Sequence, residues 1–136
     1  MSAAGAVIVV AGVVAVAFGA RSGSDDAGPN LSALAQRGRE LAVTRSCTGC
    51  HGRSGEGNTG PAWTGLFGST RDLQDGSTVV ADRAYLAESI VDPNAKLVAG
   101  FGRMPQDSIS DADVAALVQY IVELAPVGEQ SAETAD

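Results

Sequence analysis

Between residues 31 and 126 the apolar positions fall into helical stripes separated by long glycine-rich stretches. In LSALAQRGRELAVTRS, Leu31, Leu34, Ala35, Gly38, Leu41 and Ala42 share one helical face, with Arg37, Arg39 and Glu40 opposite. Asn30 or Ser32 can cap that first helix. Residues 82–91 predict a short helix with Tyr85, Leu86, Ser89 and Ile90 on one side, stopped by Asp92-Pro93. The last helix has the clearest signature. Ser110 and Asp113 have the form of a capping box, and Val114, Leu117, Val118, Ile121 and Leu124 then repeat at helical spacing until Pro126. Asp75-Gly76, between the β-prone pieces of 73–80, predicts a small hairpin. Residues 52–70 and 93–109 read as loops. Loops that long in a compact domain need a functional reason, and a cofactor is one.

The first twenty residues break this pattern, since they carry no charge. Residues 3–20 hold 15 Ala, Val, Ile or Phe and three Gly. As a helix they span roughly 27 Å, close to a bilayer core of about 30 Å. A membrane anchor, a cleaved signal peptide and a buried soluble helix are the three readings. The run has no polar face, which counts against the buried helix. No basic residue precedes it, which counts against the signal peptide. Residues 21–30 read as a flexible linker and 127–136 as an acidic, disordered tail. Residues 31–126 are then the single domain that 136 residues allow.

Composition narrows the function. Nine basic and 16 acidic residues leave a net charge of −7, which disfavours nucleic acid as a partner. Much of the acidity sits in the linker and tail. Aromatics are only 4 % of the chain, thin for a small core without help from a disulfide, a metal or a partner.

Cys47-Thr48-Gly49-Cys50-His51 supplies that help. C-x-x-C-H is the attachment signature of c-type haem: two thiols reach two vinyl groups on one porphyrin edge, and the histidine reaches the iron. A thioredoxin-like redox pair needs a surrounding βαβ pattern, and here a helix precedes and a glycine loop follows. A closed zinc site needs four ligands, but two Cys and one His make only three. A plain disulfide leaves His51 unexplained. The expected cofactor is one haem c, bound covalently through Cys47 and Cys50.

With His51 the only histidine and Met1 the initiator, Met104 is the remaining soft ligand for a second axial position. Core filling, or a five-coordinate iron with Met104 standing off, are the alternatives. Leu66, Phe67, Val79, Tyr85, Leu86, Ile90, Leu97, Val98 and Phe101 are candidate walls for the haem. Trp63 is a candidate donor to a haem propionate through its indole N–H, or else simple packing. Arg37, Arg39, Arg45 and Arg53 flank the motif, either as a basic docking ring or as scattered solvated charges.

With these motifs in place, residues 33–126 resemble a class I c-type cytochrome. Gly38 on the first helix, C-x-x-C-H, Gly60-Pro61, Met104-Pro105 and Leu117-Tyr120-Ile121 on the last helix are its marks. The middle of the chain, from GPAWTGLFG through DGSTV to IVDPNAK, is similar to the cytochrome c domain fused to subunit II of bacterial haem–copper oxidases. That subunit also carries a copper domain, which this chain lacks.

The resemblance implies an all-α fold of about four or five short helices around one covalent haem, preceded by the N-terminal apolar helix. It implies that the Pro61 carbonyl accepts from His51, and that Tyr120 crosses Gly38. The usual aromatic one turn after that glycine is Ala42 here, so a less filled crossing is expected. Filled axial positions leave no substrate site, so the chain is expected to be an electron carrier and not an enzyme. The resemblance implies electrons from a quinol-oxidising complex to a terminal oxidase, in a domain facing the periplasm or exterior and tethered to the membrane through residues 1–20. A fixed haem c subunit of a larger membrane oxidoreductase is the alternative. A ligand-binding sensor or peroxidase would require Met104 to leave the iron.

Overall fold

The computed structural model describes residues 30–124. The apolar run, the linker and the acidic tail all lie outside the described residues. Among the described residues no helix is long and apolar enough to cross a membrane.

Four helices and one hairpin follow in chain order: α1 (Ala33–Thr44), α2 (Thr48–His51), β1 (Thr70–Asp72), β2 (Thr78–Val80), α3 (Arg83–Val91) and α4 (Asp111–Glu123). Each long helix starts at an oxygen-bearing cap. The Ser32, Asp82 and Ser110 side chains accept from the backbone N–H of Ala35, Tyr85 and Asp113. The hairpin pairs Thr70 with Val80 and Asp72 with Thr78 around the Asp75-Gly76 turn. It is the one departure from an all-helical domain among the described residues.

The fold is organised by the crossing of α1 on α4. Leu31, Ala35, Gly38 and Ala42 of the first stripe are buried against Val114, Ala116, Leu117, Val118, Tyr120 and Ile121. Gly38 permits it: a Cβ there would stand 2.0 Å from the Ala116 carbonyl oxygen and 2.7 Å from Tyr120 Cβ. Ala42 is fully buried in this seam. Leu34 was expected on the buried face but is 45 % exposed. α1 has α4 as its main neighbour, so its buried stripe is narrow and Leu34 falls beyond the edge.

Charges fasten the same crossing. Arg37 donates to Asp113 at 2.8 Å, and the Ser32 N–H and hydroxyl both donate to Glu123 at 2.7 and 2.6 Å. The Arg37 hydrogen bond holds the Asp113 carboxyl below the usual aspartate range, against an opposing push from burial. A depressed folded pKa contributes stability above the unfolded value of about 3.9 and loses it as pH falls through the folded pKa. The melting temperature should therefore drop as pH falls below about 4, and Asp113→Asn should flatten that part of the profile. Thermal melts across a pH series check this; an equally steep acid limb in the variant contradicts it.

Candidate functional site

α1 ends at Thr44, and Ser46 then turns the chain with φ 61°, a left-handed conformation that costs a non-glycine residue about 1–2 kcal/mol. That turn opens the single helical turn of α2. A spacing of three places Cys47 and Cys50 on one side of it. The two are not joined in a disulfide; Cys47 is half-buried and Cys50 exposed. Burial pushes the Cys47 thiol up, with partial relief from a backbone hydrogen bond and Arg45. A raised thiol pKa is the opposite of what a redox-active C-x-x-C pair needs.

His51 closes α2 and is buried, 8 % exposed. The loop that follows folds back to serve it. Gly57 and Gly60 donate their N–H groups to the carbonyls of His51 (2.7 Å) and Cys50 (2.9 Å), which α2 leaves unpaired at its end. The Pro61 carbonyl lies 2.8 Å from His51 Nδ1. A carbonyl only accepts, so Nδ1 carries the proton and Nε2 keeps its lone pair for a metal. Burial pulls the imidazole pKa below its ordinary value, opposed by the Pro61 bond. The ring is thereby kept neutral, the form that ligates. Gly60 lies against the ring, where a Cβ would come within 2.9 Å of Cε1.

Trp63 backs the imidazole. The two rings stack at 4.6 Å between centroids and 17° between planes. Tyr120 of α4 meets Trp63 edge-on at 6.1 Å. The helix crossing is thus connected through two aromatic contacts to His51. The sequence offered Trp63 as a propionate donor or as packing; the structure places its face on the histidine. The signal available for this was its position two residues after Pro61, the residue that holds the same ring.

His51 and Cys47 open onto a largely apolar cavity. Its apolar walls include Leu66, Tyr85, Leu86, Ile90, Leu97, Val98, Phe101, Leu117 and Ile121, with Pro61 and Trp63 beside His51. Phe67 and Val79 do not line it, contrary to expectation. Phe67 packs against the core from outside, under the guanidinium of Arg83 at 5.8 Å, and Val79 covers the core from β2. Cys50 is likewise absent from the lining.

Met104 lines the same cavity although 53 residues separate it from His51. Its loop is pinned on two sides. Asn94 donates its side-chain amide to the Met104 carbonyl at 3.3 Å, and Gln106 donates to the Val91 carbonyl at 3.1 Å. From the end of α1, Arg45 donates to Asp107 at 2.7 Å and to the Ser108 carbonyl at 3.2 Å. Arg45 also faces Asp113 at 3.5 Å. Arg37 and Arg45 are therefore spent on internal acids, and a docking ring of four free arginines does not form.

An apolar cavity edged by a buried histidine, a methionine and one thiol of a closely spaced pair suits a flat, apolar, metal-bearing cofactor. Two guanidinium nitrogens, Nε of Arg45 and of Arg71, are buried without a hydrogen-bond partner and belong to residues of the cavity wall, which suits a cofactor with acidic groups. No curated protein matches the chain closely enough to count as a relative. The model of the cytochrome c family matches residues 35–125, from the first buried turn of α1 past the end of α4. With two thirds of its length under that match, and with Cys47, Cys50 and His51 in the attachment spacing, the chain belongs to the cytochrome c family and carries covalent haem c.

Proposed function

We propose that the domain is a one-electron carrier whose iron is held by His51 and Met104, tethered to the membrane by residues 1–20 and working outside the cytoplasm. Family membership carries the coarser statement, electron transfer through haem. The ligand assignment rests on one observation: His51, at the end of α2, and Met104, on a distant loop, reach a single cavity, each segment held by its own hydrogen bond. The bound haem supplies the redox-active iron. The chain keeps that iron's surroundings constant. Pro61 and Trp63 hold the imidazole, and Asn94 and Arg45 hold the methionine loop. A rigid pair of ligands limits the rearrangement between oxidation states, and thioether sulfur favours reduced iron.

The domain would pass electrons from a quinol-oxidising complex toward a terminal oxidase. A tether raises the effective concentration near membrane partners, within the reach of the linker.

A redox titration with spectra in both states, repeated under carbon monoxide, tests the ligand set. The expected result is a positive potential, low-spin spectra and no carbon monoxide binding. Met104→Ala should then lower the potential by well over 59 mV, more than tenfold in the redox equilibrium, and open the iron to carbon monoxide. Ready carbon monoxide binding by the unaltered protein would remove Met104 from the iron.

A second reading, a fixed haem subunit of a larger membrane oxidoreductase, is favoured by a groove between α1, α3 and α4. Leu34 and Val91 line it and are 45 % and 48 % exposed. Co-purification at fixed stoichiometry with membrane subunits would select that reading.

A further inference from the structure

The groove between α1, α3 and α4 is an apolar surface that the haem site leaves unused. Val114 and Val118 of α4 line it from the buried side, with Leu34, Ala87, Val91 and Ala115 around them. Leu34 and Val91 keep 45 % and 48 % of their surface exposed, and Ala115 is exposed too. One helix separates this groove from the haem cavity. Arg83, Ala87, Glu88 and Val91 of α3 face the groove, while Tyr85, Leu86, Ser89 and Ile90 of the same helix face the cavity. Exposed apolar patches rimmed by polar residues mark contact with a protein or a membrane.

The place where the chain enters the domain selects between the two. Arg83 donates to the Gln119 side chain at 2.9 Å, Gln119 donates to Glu123, and Glu123 accepts from the N–H and the hydroxyl of Ser32. Ser32 thus stands at the end of the groove formed by Leu34, Arg83 and Gln119. From there the groove follows α3 for eight residues to Val91, roughly 12 Å. The membrane tether proposed above, on which this inference rests, joins that end through residues 21–30. Ten residues reach at most about 36 Å, so the tether brings the bilayer to this face first. The rim does not repel a zwitterionic surface. Arg83 and Asp111 offset each other, and Glu88 is paired with Lys96.

We propose that this groove is a docking surface for the lipid bilayer, with Leu34 and Val91 entering the boundary between headgroups and acyl chains. Apolar side chains that reach this boundary bind in proportion to the apolar area they bury there. Two half-exposed side chains make a weak contact by themselves. The tether makes it sufficient, because the second contact of a tethered body is intramolecular. The consequence is orientation. With the groove on the bilayer, the cavity face of α3 points away from the membrane. The domain then presents its haem in one attitude to membrane partners instead of tumbling on its linker.

The test uses the full-length haem-loaded protein in phosphatidylcholine vesicles that contain a phosphatidylcholine with a diazirine at the glycerol end of one acyl chain. Light attaches that lipid to whatever it touches, and peptide mass spectrometry locates it. The expected pattern is label in residues 1–20, which reports the tether, and on the peptides that hold Leu34, Val91 and Ala115, with little on the hairpin. Leu34→Gln together with Val91→Gln should reduce the domain's label several-fold and leave that of residues 1–20 unchanged. Label confined to residues 1–20 overturns the groove contact and leaves the tether standing. Absence of label from residues 1–20 removes the tether, and the proposal with it. Domain label that survives the double substitution, or that gathers on the hairpin, puts another face on the bilayer and also overturns the proposal. If the double variant does not mature, the position of the label in the unaltered protein decides between groove and hairpin. A membrane subunit that co-purifies at fixed stoichiometry and cross-links to the peptides of Leu34 and Val91 would occupy the groove in place of lipid, and the proposal fails.

Discussion

Gly38→Ala is expected to lower the melting temperature of the haem-loaded protein by about 10 °C or more. The new Cβ would stand 2.0 Å from the Ala116 carbonyl oxygen, 2.7 Å from its carbon and 2.7 Å from Tyr120 Cβ. Two of those atoms are helix backbone, which cannot rotate away. α4 must therefore withdraw from α1, opening a seam in which Ala35, Ala42 and Ala116 are fully buried. Overpacking a tight core costs typically 1–3 kcal/mol, occasionally more, and each kcal/mol moves the melting temperature of a domain this size by about 4–8 °C. The damage should not stop at stability. Withdrawal of α4 carries Tyr120 away from Trp63, and Trp63 is stacked on His51. A shift in the haem spectrum should accompany the lower melting temperature. Calorimetry and visible spectra together check this; an unchanged melting temperature would mean that α4 accommodates the methyl group, and the close-crossing account fails.

That crossing was legible in the sequence because its determinants are local. A glycine in an apolar stripe, a capping serine at Ser110 and a run of i, i+3 and i+4 aliphatics each specify structure from a few neighbouring residues. The cavity's two key residues were legible for another reason: histidine and methionine are so scarce here that chemistry could assign them by elimination. What escaped depends on contacts between distant segments. Leu34 has the same spacing as its buried neighbours, yet lies outside the seam because α1 meets chiefly α4. Phe67 is next to a cavity residue, Leu66, and still faces Arg83. Arg45 reads as a surface charge beside the motif; its acids, Asp107 and Asp113, are 62 and 68 positions away. The stacking of Trp63 on His51 requires the loop of 52–60 to fold back first, and glycines permit that without dictating it.

Without its thioether bonds the protein should not hold a folded core at all. The double substitution Cys47→Ala, Cys50→Ala removes the covalent attachment and leaves a chain that must fold around its own cavity. The described residues are poorly equipped for that. None of the large side chains is fully buried, and the buried set surrounds the cavity instead of filling it. α1 and α4 alone make one extensive helix contact, while α3 and the hairpin close the far side. A cofactor that binds only the folded state contributes its binding free energy to folding, and covalent attachment keeps it at the site at any concentration. Its loss removes both the apolar filler and the neutral, buried role of His51. The expected result is a chain with reduced helix signal in far-ultraviolet circular dichroism, narrow amide dispersion by NMR and no cooperative thermal transition. A single substitution, Cys50→Ala, keeps one thioether and should retain the fold with a lower melting temperature. A cooperative transition in the haem-free double variant would show that the α1–α4 crossing and the loop hydrogen bonds suffice without the haem. In that case the aromatic-poor core is self-supporting, and the haem is a guest in a preformed site rather than part of what the chain folds around.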